Sequence, residues 1–184
     1  MTQPDHGPPA LDDDTPADLR GLIDFVNSRA SARRPERFDT PDHAAAFLAH
    51  CELGYTGDAL STQDTGRLRR LRDAIMRAIE EPADPEAWQA INKIAATAPV
   101  RLHLAVGPSA SLEATRANST DSLIAVVLDQ CAGAIASGRW NRLGACARCR
   151  RVFYDSTRSH TRRWCSYATC GNRSNVAAYR TRDR

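Results

Sequence analysis

Lysine is almost missing from this chain of 184 residues. Lys93 is the single one among 25 basic side chains, so the positive charge is carried by arginine. No run of 18 apolar residues occurs, so no membrane-spanning helix is expected. Met1 to Asp14 is rich in Pro and Asp and has neither the apolar core of a secretory leader nor the arginines of a transit peptide. It reads as a disordered tail, and the expected compartment is the cytoplasm, where thiols stay reduced. Aromatic residues make up only 6% of the chain, too few for a large open ligand pocket. Phosphate-cradling glycine loops and His-Glu-x-x-His helices are both absent, and nothing assembles Ser, His and Asp into a triad. No catalytic activity is expected. Asp12-Asp-Asp14 lies in the tail and reads as a solvated charge run.

The net charge of +3 hides a strong asymmetry. Residues 139–184 hold twelve arginines against Asp155 and Asp183, a formal +10, whereas residues 1–138 hold thirteen basic residues and twenty acids and sum to −7. A small basic segment on an acidic body suggests a polyanionic partner for that segment. A merely solvated basic face is the bland alternative.

The body reads as mostly helical. Leu19, Leu22, Ile23 and Val26 recur at helical spacing after Thr15-Pro16, with Thr15 as the expected cap. Thr40-Pro41 opens a second helix that Gly54 should end. A third runs over 62–81 with Leu68, Leu71, Ile75, Met76 and Ile79 on one face. A fourth starts at Asp84-Pro85 and carries Trp88 and Ile91 as core. Val100, Leu102, Leu104 and Val106 then alternate with Arg101 and His103, the pattern of a half-buried strand; 111–115 is its expected return. Thr120-Asp121 caps a fifth helix over 122–137, and Gly138 stops it. Cys51 and Cys131 read as small buried hydrophobes on helix faces. The fold class is α+β and mostly helical: a tail (1–14), a helical domain with a small hairpin (15–138), and a C-terminal module (139–184).

That last module has little apolar material beyond Val152, Phe153, Tyr154 and Trp164, so a bound metal is expected to hold it. The cysteines supply it. Cys146 and Cys149 are two residues apart; fifteen residues later come Cys165 and Cys170. Four thiolates at such spacings suit one tetrahedral zinc with no open position, a structural rather than catalytic site. Disulfides are disfavoured in a reducing compartment, and iron–sulfur clusters use other spacings. His160 is the weaker candidate ligand. Residues 151–155 can form a hairpin, and Ser166 can cap a helix continuing through 176–179. Knuckle, hairpin and helix together make a treble-clef-like finger.

Trp164-Cys-Ser-Tyr-Ala-Thr-Cys-Gly-Asn-Arg173 resembles the CGNR zinc-finger family, whose signature here is Cys170, Gly171, Asn172 and Arg173. Leu22-Ile-Asp-Phe-Val-Asn27 is similar to a segment near the start of the ABATE domain, which usually precedes that finger and is named for stress-induced transcription regulation. The first Cys pair is more closely spaced than in many members, and the second helix lacks an expected Trp. The resemblance implies a DNA-binding transcription regulator; an RNA-binding protein and a protein-interaction finger are the alternatives. Arg173, Arg180 and Arg182 lie along the expected C-terminal helix, and Arg158, Arg162 and Arg163 flank the second Cys pair, so all six are candidate phosphate contacts. Asn172 and Arg173 have donors suited to base edges, although either could instead brace the finger. A homodimer through the helical body is expected, since two fingers double the phosphate contacts.

Overall fold

The computed structural model describes residues 14–31, 34–107, 109–116 and 119–174. Five helices form the body: α1 (Ala17–Val26), α2 (Pro41–Leu48), α3 (Thr62–Glu80), α4 (Pro85–Ala95) and α5 (Ser119–Ala136). Local chemistry sets three of their starts. Thr40 accepts the His43 amide at 3.2 Å ahead of Pro41. Ser61 and Asp64 form a reciprocal capping box, and Asp84 accepts the Glu86 amide at 2.9 Å. At α1 the expected cap fails. Pro16 occupies the cap position without a side-chain bond, and Thr15 is buried. α2 ends at Leu48 rather than at Gly54, which leaves Cys51 in the following loop, half-buried, with its thiol donating to the Phe47 carbonyl at 3.4 Å. α5 stops at Gly138, whose φ of 71° lies in the left-handed region.

Leu22, Phe25, Leu68, Leu71, Ile75, Leu123 and Val127 meet in one core, closed at one end by Phe38 and Phe47 in an edge-on contact. α3 runs through the centre. Its buried Arg72 pairs with Glu36 and Asp73, and its Arg67 reaches the buried Asp121 at 2.8 Å. Both cations are thereby compensated where an unpaired charge would be costly.

Strands β1 (Val100–Ala105) and β2 (Ser109–Ala114) form the expected antiparallel hairpin, with Leu102 opposite Leu112. The expected burial is not there. Leu102 and Leu104 are 63% and 70% exposed, because β2 alone leans on α5 and β1 is the outer strand. Period-two patterning defines an apolar face; it does not supply the surface that covers it.

The C-terminal module is not a bead on a string. Its hairpin, β3 (Leu143–Ala145) with β4 (Val152–Tyr154), sends Leu143 and Val152 into the body's core. Asn27, just past α1, fixes the junction. Its side-chain amide donates to the Val152 carbonyl at 2.9 Å and its carbonyl accepts the Val152 amide at 2.8 Å, as a neighbouring strand would. Arg139 forks onto Asp18, Arg150 pairs with Glu80, and Trp140 packs on Trp88 with ring centres 5.2 Å apart. The compositional boundary at 138/139 is therefore not a packing boundary.

One carboxylate at this junction is poorly placed for charge. Asp24 is 5% exposed and its Oδ1 has no hydrogen-bond partner. Burial pushes its pKa up to about 7; Glu52 adds to the rise, and Arg151 and Arg20 oppose it. The folded state thus holds a proton that the unfolded chain releases near pH 4, so stability falls as pH rises from about 4 to 7. Asp24→Asn is expected to remove that loss, stabilising the protein at pH 8 by up to about 4 kcal/mol and having little effect at pH 4. Urea denaturation of both proteins at the two pH values reads this directly. Equal effects at both would show that Asp24 does not carry the dependence.

Candidate metal centre and basic face

The metal site is built from two turns brought together by the β3–β4 hairpin. In the first, the Cys146 amide donates to the Arg151 carbonyl and the Arg150 amide returns to the Cys146 carbonyl, each at 2.9 Å. Arg150 makes this knuckle tight by adopting φ 61°, a conformation unusual for a side chain of its size. In the second, Ser166 caps a π-helical turn, Tyr167–Gly171, with the Cys170 and Gly171 amides both donating to the Ser166 carbonyl. A bond from the Ala147 amide to the Arg163 carbonyl at 2.9 Å ties the two turns together.

The result brings the ligand atoms of Cys146, Cys149, Cys165 and Cys170 within 4.8 Å of one another. Cys149 and Cys165 sulfurs are 3.6 Å apart, and those of Cys165 and Cys170 are 3.8 Å apart. A tetrahedron with zinc–sulfur bonds of about 2.3 Å has edges of about 3.8 Å, so the spacing fits. The electrostatics fit as well. Burial alone would raise the Cys146 thiol, but the amides of Cys149, Cys165 and Arg148 hold it down to about 6. Burial and the neighbouring sulfurs push Cys165 and Cys149 upward. Four thiolates so close cannot all ionise without a cation among them, and zinc, a borderline-soft divalent ion that takes four thiolates tetrahedrally, would supply it. The four sulfurs hold one structural zinc. His160 lies elsewhere, exposed in the connecting turn at φ 51°.

Asp155 organises the loop between the Cys pairs. It is buried, and its carboxylate accepts the Thr157 amide at 2.9 Å, the Thr157 hydroxyl at 2.6 Å and the Arg162 amide at 3.0 Å. Those bonds hold its pKa below the usual carboxylate range despite burial. No sequence signal pointed to this role of Asp155, and Asn27 stood out only as the last residue of the Leu22–Asn27 segment.

The candidate contact residues separate by location. Arg162 is turned inward: its Nε donates to the Trp164 carbonyl at 2.9 Å, its Nη2 donates to the Cys165 carbonyl, and its plane lies 4.9 Å over Phe153. It braces the ligand loop instead of offering its guanidinium to phosphate. Arg158 and Arg173 are exposed and make no ion pair with a described residue, and the same holds for Arg148, which spacing did not single out. Arg163 lies over the Trp164 ring at 5.3 Å. The Asn172 side-chain amide donates to the Ala168 carbonyl at 3.2 Å, closing the π turn. Arg180 and Arg182, with the helix expected over 176–179, lie outside the described residues.

Purified protein is expected to contain one zinc per chain. Cys165→Ser should lower that content sharply and raise protease sensitivity over 146–174. The α1–α5 core should lose less helicity than an unfolded chain would. Metal content unchanged in that variant would remove Cys165 from the ligand set.

Two family models match the chain. The first, ABATE, described as "Putative stress-induced transcription regulator", covers residues 19–147; the second, the CGNR zinc finger, covers residues 142–183. No curated protein matches. The two matches overlap at 142–147, the stretch where β3 leaves the body's core and reaches Cys146. With four converging thiols and a helical body joined through β3 and β4, this chain belongs to the ABATE family and ends in a CGNR zinc finger.

Proposed function

We propose that this protein is a DNA-binding transcriptional regulator of the stress-response type, acting in the cytoplasm, whose zinc finger contacts the phosphate backbone. The observation that carries the reading is the single sign of the charge that the described finger exposes. Arg148, Arg158, Arg163 and Arg173 are exposed, and the one acid among its described residues, Asp155, is buried and fully occupied. Such a face attracts a polyanion over a Debye length and loses that attraction in salt. Arg180 and Arg182, outside the described residues, belong to the same expected contact set. Asn172 and Arg173 are then the pair nearest to base edges, with Asn172 also committed to its own turn. The reading assigns no catalytic step. No described helix is long and apolar enough to cross a membrane.

A homodimer through the body belongs to this reading, and the exposed face of β1 is the apolar surface available to it. A monomer in sedimentation at micromolar concentration would remove that part. RNA is the second ligand to test.

If Arg158, Arg163, Arg173, Arg180 and Arg182 each neutralise a phosphate, log affinity for duplex DNA should fall with log salt at a slope of roughly −4 to −5. Arg158→Ala should reduce that slope by about one and weaken all sequences alike, whereas Arg162→Ala should lower zinc affinity or thermal stability first. A salt-independent affinity would contradict the backbone-contact mode.

A further inference from the structure

The spacer between Cys165 and Cys170 presents a large ring to solvent. Tyr167 is 64% exposed. Its backbone is pinned between two metal ligands and by the Ser166 cap, so the ring stands on a fixed base. One side of that ring rests on Gly171: a Cβ there would meet Tyr167 Cδ2 at 2.8 Å, so the glycine admits the contact. Tyr167 also meets Trp164 edge-on, with centroids 6.2 Å apart at 74°, and Arg163 covers Trp164. Arg163, Trp164 and Tyr167 make a continuous strip of cation and aromatic surface on a finger that exposes only positive charge among its described residues.

Two requirements narrow the ligand. An apolar peptide would use the ring but not the arginines; a simple polyanion would use the arginines but not the ring. A nucleotide carries both a flat π surface and a phosphate. In a duplex the base faces are covered by their neighbours, so only an unstacked base can offer one. We propose that Tyr167, backed by Trp164 and Arg163, is a stacking shelf for one unpaired nucleobase. The finger then prefers single-stranded or locally melted nucleic acid over intact duplex of the same sequence. The inference rests on the nucleic-acid-binding reading above and names the form of nucleic acid that this face takes. Because the ring is ordered before binding, little conformational freedom is lost on contact.

The test uses the full-length, zinc-loaded protein and three probes of one mixed sequence: single-stranded DNA, single-stranded RNA and duplex DNA. Tyr167→Ala is expected to weaken binding to at least one single-stranded probe by roughly 10- to 100-fold and to the duplex by no more than about twofold. Tyr167→Phe should bind as the unaltered protein does. The DNA and RNA arms tell which sugar the site accepts. Since the Ala variant could lose its metal, zinc content is measured on each protein, and the unaltered protein is photo-crosslinked to a single strand carrying 5-iodouracil. A crosslink on Tyr167 or Trp164 supports the shelf. An unchanged single-strand affinity in a zinc-replete Ala variant, or crosslinks only elsewhere, overturns it while leaving arginine-based binding standing. Failure of the unaltered protein to bind any probe overturns the nucleic-acid reading and the shelf with it.

Discussion

Four sulfur atoms within 4.8 Å of one another are the constraint on which the C-terminal quarter depends. Thiolates at that distance repel, and thiols at that distance gain little. A divalent cation turns the cluster from a cost into the strongest set of bonds in the module. Everything around it is arranged for that purpose. The knuckle amides aim at Cys146, Ser166 caps the turn that presents Cys170, and Arg162 clamps the carbonyls beside Cys165. The apolar reserve is small: Phe153 and Trp164 are the aromatic material packed with the cysteines. Without the ion, so many arginines on so small a core would have little to oppose their repulsion.

The second constraint is the junction. Asn27 mimics a strand neighbour for Val152, and Leu143 and Val152 complete the body's core. Ion pairs from Arg139 to Asp18 and from Arg150 to Glu80 add charge-assisted contacts across the same seam. The finger is therefore held in a set orientation by α1 and α3. Asn27 at the end of α1 is bonded to Val152 of β4, and β4 leads back to the knuckle, so the helical body and the finger share one hydrogen-bonded seam. Asp24 lies on α1 at that seam, buried and short of a partner, which makes the seam less stable than its packing alone would give.

Local chemistry was legible in the sequence; long-range pairing was not. The helix starts at Thr40-Pro41 and Asp84-Pro85 follow from hydrogen bonds a few residues apart, and so does the cysteine quartet, whose spacing encodes two turns around one ion; the Ser61–Asp64 capping box was not anticipated. Thr15 misled because a cap needs the right backbone angle as well as the right side chain, and Pro16 took that place. Alternation correctly named β1 but not its exposure, since a strand's apolar face says nothing of what covers it. Arg162 and Arg163 are adjacent and chemically identical, yet one braces carbonyls and the other lies over an exposed-side Trp. Only the fold of the loop around Asp155 separates them. Asn27 sat in a recognisable motif, but its partner is 125 residues away.

The basic face is assembled around the ion. X-ray absorption at the zinc edge of the purified protein is the most direct measurement. Four sulfur neighbours at about 2.3 Å with no nitrogen or oxygen ligand are expected. A shell that requires a light-atom neighbour, or fewer than four sulfurs, would contradict the closed four-cysteine site around which the basic face is assembled.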